Sequence, residues 1–314
     1  MNPVVIVLLL WGVLFDGTHV WGTYARSYRV TDPISQAGLP SRWSWAIIGL
    51  GPLVAIIDYL LLPAGPSQLS SAGWLFRSFL LFAYLWAYWH LVRQHYGFLV
   101  LYRRKAGEHN RGGGRIDAIL LWTGTLYPYL RFSLSDAYGR SGLPQSLPAE
   151  WLVTARLLLD ISFAVIMLFT IALILSGRIE KPRLGPKHLL LAVVIGFTFA
   201  VFSLLDNLLT ITATLTIFHN IQYHRIVWQY ERGHGRVPSG SLAAYLALGL
   251  ALGLIWYTPR VLGVALVQAS LARNVLLGLG WGVAFHHYLV DARIWRVRRT
   301  AGVAEAIDAG AAKA

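Results

Sequence analysis

The chain contains no cysteine and little charge. Among its 314 residues there is no Cys, and only 13% are Asp, Glu, Lys or Arg, against about a quarter in soluble domains. The missing thiols exclude disulfides, zinc–thiolate sites, cysteine-ligated iron–sulfur clusters and thiolate-ligated haem. A dinucleotide-binding fingerprint is also missing, because the glycines at 112–114 are predicted to lie in a basic loop with no strand before them.

Long apolar runs replace the missing charge. Hydrophobic residues make up 56% of the chain, and the mean hydropathy is +0.55. The runs are continuous and close to the roughly 20 residues that span a bilayer, which predicts helices rather than the alternating strands of a barrel. We predict an all-α, polytopic transmembrane helical bundle in one domain over residues 1–299, with a mobile alanine-rich tail over 300–314. The nine predicted spans are 3–24, 43–63, 74–101, 116–134, 152–175, 188–204, 207–229, 241–259 and 273–294.

The positive charge is concentrated in alternate loops. The formal net charge is +13, and clusters of Lys and Arg follow the odd-numbered spans, as at 103–105 after the third. The positive-inside rule then predicts an external N-terminus and a cytoplasmic C-terminus. Loops of this kind predict anionic lipid headgroups as partners, and not nucleic acid. We expect a multi-pass protein of the bacterial inner membrane.

Seven of the ten histidines fall at one predicted depth, near the inner ends of four spans that run inward. They are His19, His90, His95, His219, His224, His286 and His287. A single membrane histidine is usually a packing residue, but polar groups inside a bilayer are costly and tend to mark a functional path. Converging neutral imidazoles form a nitrogen-rich site that iron, zinc or copper accepts. The pattern predicts a metal centre near the cytoplasmic face, with these seven side chains as ligands.

Two carboxylates share helix faces with these histidines. Asp16 lies three residues before His19, and Asp291 lies four residues after His287, so each pair can lie on one side of its helix. We predict that both aspartates take part in the chemistry, either as ligands or as groups that orient an imidazole.

The spacing within the histidine pairs leaves two options open. In His90/His95 and in His219/His224 the two positions are about 140° apart on a regular helix. Either a π-bulge brings both rings to one metal, or one ring of each pair serves elsewhere. The adjacent rings of 286 and 287 are about 100° apart and could face two metals or two directions.

Three segments resemble histidine boxes. HLVRQH (90–95), HNIQYH (219–224) and FHHYLVD (285–291) resemble those of integral-membrane non-haem iron oxygenases, the fatty acid desaturase and hydroxylase superfamily and the alkane hydroxylases. The resemblance implies one or two irons held by histidines, and dioxygen used against C–H bonds of a lipid-soluble substrate. The chain departs from that pattern in lacking an H-x-x-H-H box and in having more spans than the usual four to six.

The leading hypothesis is therefore a membrane metal-dependent oxidoreductase of lipid metabolism, a monooxygenase, hydroxylase or desaturase. Its cofactor would be one or two non-haem irons, with zinc, copper or haem as alternatives, and a separate reductase would supply electrons. A second hypothesis is a bis-histidine haem protein for electron transfer. A third is a metal or proton transporter, for which midplane sites and internal repeats would be typical.

Overall fold

A computed structural model of the chain is all-helical over its described residues, among which there is no strand. The structure describes residues 9–29, 42–62, 72–108, 111–141, 148–176, 185–233, 242–265 and 271–294, with positions 6, 305 and 308. The predicted mobile tail at 300–314 lies almost wholly outside these ranges. All nine of the predicted site residues lie within them.

The first helix is irregular. Its α-helical part, α1 (Thr18–Tyr24), lies between two π-helical turns, Gly12–Gly17 and Ala25–Arg29. A 3₁₀ helix, Arg42–Gly49, leads directly into the next element. The remaining helices are α2 (Leu50–Leu61), α3 (Trp74–Lys105), α4 (Arg111–Ser133), α5 (Asp136–Gly139), α6 (Ala149–Leu175), α7 (Pro186–Leu204), α8 (Leu208–Gly233), α9 (Leu242–Ala265) and α10 (Leu271–Ile294).

Four helical segments are long and apolar enough to cross a membrane. They are Arg42–Leu61, Trp74–Lys105, Ala149–Leu175 and Pro186–Leu204. The all-helical class with membrane-length helices is thus confirmed. The count of nine spans and the orientation of the termini stay predictions, although each predicted span overlaps a helical segment of the described residues.

Helix α6 has an almost entirely exposed apolar surface. Only 6% of its most apolar window is buried, and the mean hydropathy of that window is 2.6. Val153 and Leu168 are exposed by 72% and 67%. Large contiguous apolar surfaces are rare on soluble monomers, so the helix favours a lipid environment.

The break between α7 and α8 follows from one side chain. Residues 205–207 are not helical, and the Oδ1 atom of Asn207 accepts a hydrogen bond from the Thr210 backbone N–H at 3.1 Å. This bond is an N-cap, which satisfies a donor that the first turn of α8 leaves unpaired. The break falls between the sixth and seventh predicted spans, 188–204 and 207–229.

Contacts divide the chain into two compact units, which are described separately. The first unit comprises Met1–Trp86 and Thr216–Ala314, and the second comprises Ala87–Leu215. The boundaries fall inside α3 and α8. The single domain over 1–299 stays a prediction.

In the first unit, helices touch through glycine. A Cβ at Gly51 would lie 2.1 Å from the carbonyl oxygen of Gly278, and one at Gly17 would lie 2.5 Å from the Cα of Gly253. Neither position can carry a side chain without a shift of backbone. Small residues at helix crossings are typical of membrane helix packing. These crossings bring α2 against α10 and α9 against the turn that precedes α1.

The start of α3 is capped from a neighbouring helix in the same unit. The buried Asp58 carboxylate on α2 accepts hydrogen bonds from the backbone N–H groups of Gly73, Leu75 and Phe76 at 2.7, 3.0 and 3.1 Å. These are donors that a helix N-terminus leaves without internal partners. One side chain therefore fixes where α3 begins.

In the second unit, a charged cluster joins three helices. The Lys187 ammonium of α7 lies 3.0 Å from Asp117 of α4 and 2.5 Å from Glu108, which follows α3. The Arg103 guanidinium lies 3.4 Å from Asp117 and 3.6 Å from Glu108. Two cations thus face two carboxylates, which offsets the cost of burying each charge.

Candidate metal centre

Two buried histidines of the first unit, His219 and His287, pack against a third, His19. His19 lies on α1, His219 on α8 and His287 on α10, and they are exposed by 5%, 2% and 1%. The His19 ring lies with its centroid 5.1 Å from that of His219 and 4.8 Å from that of His287. We call these residues the histidine triad. The ligand atoms of His19 and His287 lie close enough together to belong to one metal site, and His219 packs beside His19.

The distance between His19 and His287 fits two ligands of one ion. Their Nε2 atoms lie 3.1 Å apart, close enough for both to hold a single metal. Metal–nitrogen bonds of about 2.0–2.1 Å then give an N–metal–N angle of about 100°, between the octahedral and tetrahedral values. The same distance fits an N–H···N hydrogen bond in which one ring is the donor. Metal analysis separates these two readings.

Three further buried side chains form a second level beside the triad. The Tyr223 hydroxyl donates to Asp291 Oδ1 at 2.6 Å and lies 2.7 Å from Thr23 Oγ1. We call Thr23, Tyr223 and Asp291 the hydroxyl–carboxylate layer. The Tyr223 ring packs against His19, with centroids 4.2 Å apart. The layer therefore forms one wall of the candidate site.

The histidine triad and the hydroxyl–carboxylate layer are related by the same sequence spacing on three helices. Thr23, Tyr223 and Asp291 each follow a triad histidine by four residues, on α1, α8 and α10 respectively. Positions i and i+4 share a helix face and differ by about 6 Å along the axis. Because the order is the same on all three helices, these helices run in the same direction. The predicted odd-numbered spans one, seven and nine require that same direction.

The predicted carboxylates have different partners. Asp291 belongs to the layer, as an acceptor from Tyr223. Asp16 lies in the π-helical turn before α1 and accepts a short hydrogen bond from the Tyr257 hydroxyl of α9. For both residues a catalytic role stays a prediction.

His224 has both ring nitrogens in hydrogen bonds. Its Nδ1 lies 3.0 Å from the Tyr245 hydroxyl, and its Nε2 lies 3.0 Å from Thr18 Oγ1. The described α8 is regular and contains no π-bulge. His219 and His224 therefore face different partners, and a ligand role for His224 would require one of these bonds to be given up.

His286 lies in a separate polar pocket. Its Nδ1 lies 2.9 Å from the Tyr24 hydroxyl, and its Nε2 lies 3.2 Å from Ser44 Oγ. The ring also stacks on Trp45 with centroids 4.0 Å apart. The adjacent His286 and His287 thus point in two directions. The structure gives His286 hydrogen-bonding partners at both nitrogens, and its predicted role as a ligand stays untested.

His90 and His95 lie on the part of α3 that belongs to the second unit, and both are buried. The His95 Nδ1 lies 3.0 Å from the Leu91 carbonyl oxygen. Because a carbonyl only accepts, Nδ1 carries the proton, and Nε2 is the basic nitrogen of the neutral ring. That tautomer is the one that a metal ligand needs. The ligand roles of both residues stay predictions.

Sequence reasoning missed several side chains that surround the histidines. Thr23 and Tyr223 had a detectable signal, since each lies four residues after a predicted ligand, as Asp291 does. Tyr24, Ser44 and Trp45 had none, because only the folded chain brings them to His286.

Comparisons of the chain with family models, curated proteins and solved structures gave no match. The resemblance to membrane non-haem iron oxygenases therefore stays a prediction.

Proposed function

We propose that the protein is a membrane-embedded, metal-dependent oxidoreductase whose metal is held by the histidine triad. The observation that carries the proposal is the 3.1 Å separation of the Nε2 atoms of His19 and His287, both buried, with His219 beside them. Three neutral imidazoles and no thiolate suit iron, copper or zinc. His90 and His95 remain the sequence-based candidates for further ligands.

We propose iron as the metal, in a mononuclear or dinuclear non-haem centre. When bound, such iron supplies the activation of dioxygen. The chain's residues hold the ligands in register, and the hydroxyl–carboxylate layer closes one wall of the site, with each of its three members less than 4% exposed. An apolar setting between membrane helices excludes water and favours a lipid-soluble substrate. A separate reductase supplies the electrons, because the chain has no nucleotide fingerprint.

The geometry of His19 and His287 supports a bis-histidine haem less well than a non-haem metal. Two axial ligands bind on opposite faces of the haem iron, which requires an N–iron–N angle near 180°. The angle compatible with His19 and His287 is about 100° at ordinary bond lengths, so these two rings are adjacent ligands rather than opposite ones.

The proposed activity is tested by isotope incorporation. The iron-loaded protein, in vesicles of its expression host's total lipid extract, is incubated with ¹⁸O₂ and ascorbate plus a mediator dye. We expect dioxygen consumption together with ¹⁸O-labelled or newly unsaturated lipid, and loss of both in the His19→Ala/His287→Ala variant. A protein that binds stoichiometric iron but consumes no dioxygen would contradict the oxidoreductase and leave a metal site.

A further inference from the structure

We propose that the hydroxyl–carboxylate layer is the positioning device of the metal centre, with Tyr223 as its central member. This inference rests on the proposed function, since it assigns a role toward a metal held by the histidine triad. In this proposal Thr23, Tyr223 and Asp291 do not bind the metal. They hold three helices in the register that brings three imidazoles together.

Tyr223 is the member that joins the two levels. Its hydroxyl contacts Thr23 of α1 and Asp291 of α10, while its own backbone belongs to α8. Because the hydroxyl donates its proton to the carboxylate, it accepts the one from Thr23. One phenol group therefore ties together the same three helices that supply the triad.

The ring of Tyr223 is also confined by neighbouring residues. A Cβ at Gly22 of α1 would lie only 3.1 Å from this ring, so the glycine admits the phenol between the helices. The His19 ring lies against the same phenol at 4.2 Å, and that of His219 lies at 6.0 Å. A ring held at its hydroxyl and packed between helices is a rigid wall against which His19 keeps one orientation.

The buried carboxylate explains why the layer is costly to disturb. Asp291 is 3% exposed, and a carboxylate inside a membrane helix bundle requires hydrogen-bond donors. Without the Tyr223 hydroxyl, the carboxylate and Thr23 lose their common partner. We expect the helices to adjust. A metal site requires ligand distances within about 0.2 Å of the standard values, so such a shift should weaken binding.

Outer groups that orient metal ligands typically change affinity by about 10–100-fold when they are removed. We therefore expect Tyr223→Phe and Asp291→Asn each to weaken Zn²⁺ binding by about that factor. Thr23→Val is expected to have a smaller effect, because it removes one donor and leaves the Tyr223–Asp291 bond.

The chain contains a matched control pair. In the second unit, the Tyr127 hydroxyl donates to Asp160 at 3.0 Å, between α4 and α6. Tyr127→Phe and Asp160→Asn remove the same chemical groups from a tyrosine–aspartate bond of the other unit. These variants are expected to bind Zn²⁺ as tightly as the wild type does.

The test is chelator competition for Zn²⁺ on the detergent-purified full chain, with the Co²⁺ absorption spectrum and the thermal midpoint recorded for each variant. The expected result is a weakened affinity and an altered Co²⁺ spectrum for the two layer variants, with folded protein throughout. The Co²⁺ spectrum reports the ligand geometry, which a merely structural role would leave unchanged.

Two results would overturn the proposal. Equal Zn²⁺ affinity in wild type and Tyr223→Phe would show that the layer does not position the ligands. Loss of metal in Asp291→Asn but not in Tyr223→Phe would place Asp291 on the metal itself. If the wild type binds no metal, the proposed function fails with the layer's role, and this outcome is distinct from the first two.

Discussion

His19 is the residue on which the candidate centre depends, because the other two rings of the triad and the Tyr223 phenol all pack against its imidazole. It lies just after a π-helical turn, Gly12–Gly17, in the first helix. Such turns are rare and occur often at functional sites. A π-bulge was one option for the H-x4-H pairs, but the structure has its π-helical turns beside His19 instead.

At the residue scale, the adjacent histidines of α10 are predicted to differ. His287→Gln removes a triad nitrogen and should reduce bound metal to less than a tenth of the wild-type content. His286→Gln removes hydrogen bonds to Tyr24 and Ser44, so it should keep the metal and lower stability by about 1–3 kcal/mol.

The two variants are compared by elemental analysis and by thermal unfolding in the same detergent. The opposite pattern, with metal lost from the His286 variant and kept in the His287 variant, would contradict the assignment of the triad.

The residues of the site were only partly predictable from sequence. Depth along the predicted spans pointed to seven histidines as ligands, including His19, His219 and His287, because burying an imidazole in a membrane is costly wherever it occurs, and it could not rank these three above the others. The hydrogen-bond partner of each histidine ring nitrogen depends on how the helices are rotated and where they cross. No local pattern predicts that His224 turns toward Tyr245, or that His286 turns toward Tyr24.

At the scale of single elements, the beginning of α3 should depend on Asp58. Asp58→Ala leaves three backbone donors of Gly73, Leu75 and Phe76 without this acceptor. We expect a loss of about 1–3 kcal/mol in the free energy of unfolding, measured by denaturant titration in detergent. Asp206→Ala, which changes an exposed carboxylate, is the matched control, and equal losses in the two variants would refute the capping role.

A single substitution in the charged cluster of the second unit should destabilise the protein strongly. Lys187 and Asp117 have side chains that are only 5% and 6% exposed. Lys187→Met leaves Arg103 as the one described cation beside the two carboxylates, and we expect a loss of up to about 3–5 kcal/mol, the cost of breaking a buried pair. Arg140→Met breaks a 3.6 Å pair with Asp206 that is 66% and 80% exposed, and exposed pairs contribute about 0–1 kcal/mol.

Both variants are measured by the same denaturant titration. A Lys187 variant as stable as the Arg140 variant would show that the cluster contributes nothing to the fold of the second unit.

The positions of the helices were more predictable from sequence than their ends and their π-helical or 3₁₀ turns. Apolar run length indicated where the long helical segments lie but not the four-residue α5, and the break that Asn207 caps falls between the sixth and seventh predicted spans. Helix α9 extends to Ala265, beyond the predicted end of the eighth span at 259, and the bounds of that span stay a prediction. The π-helical and 3₁₀ turns were not predictable, since they depend on contacts made by other helices.

At the scale of the whole molecule, the absence of cysteine makes the topology directly testable. Single cysteines replace Lys105 and Ser176, which are predicted to be cytoplasmic, or Ser67 and Ser141, which are predicted to be external. A membrane-impermeant maleimide added to intact cells should label only the two external positions. Labelling of Lys105→Cys but not of Ser141→Cys would show that the orientation is the opposite of the predicted one.

The central claim is a metal held by the histidine triad, and the most direct measurement is elemental analysis of the freshly purified, detergent-solubilised chain. Iron, zinc, copper and manganese are counted per chain, and the optical spectrum is recorded on the same sample. We predict one or two irons per chain, no Soret band, and loss of the iron in His19→Ala/His287→Ala but not in His188→Ala. Iron with a strong Soret band would favour haem, and no stoichiometric metal in the wild type would contradict the metal centre.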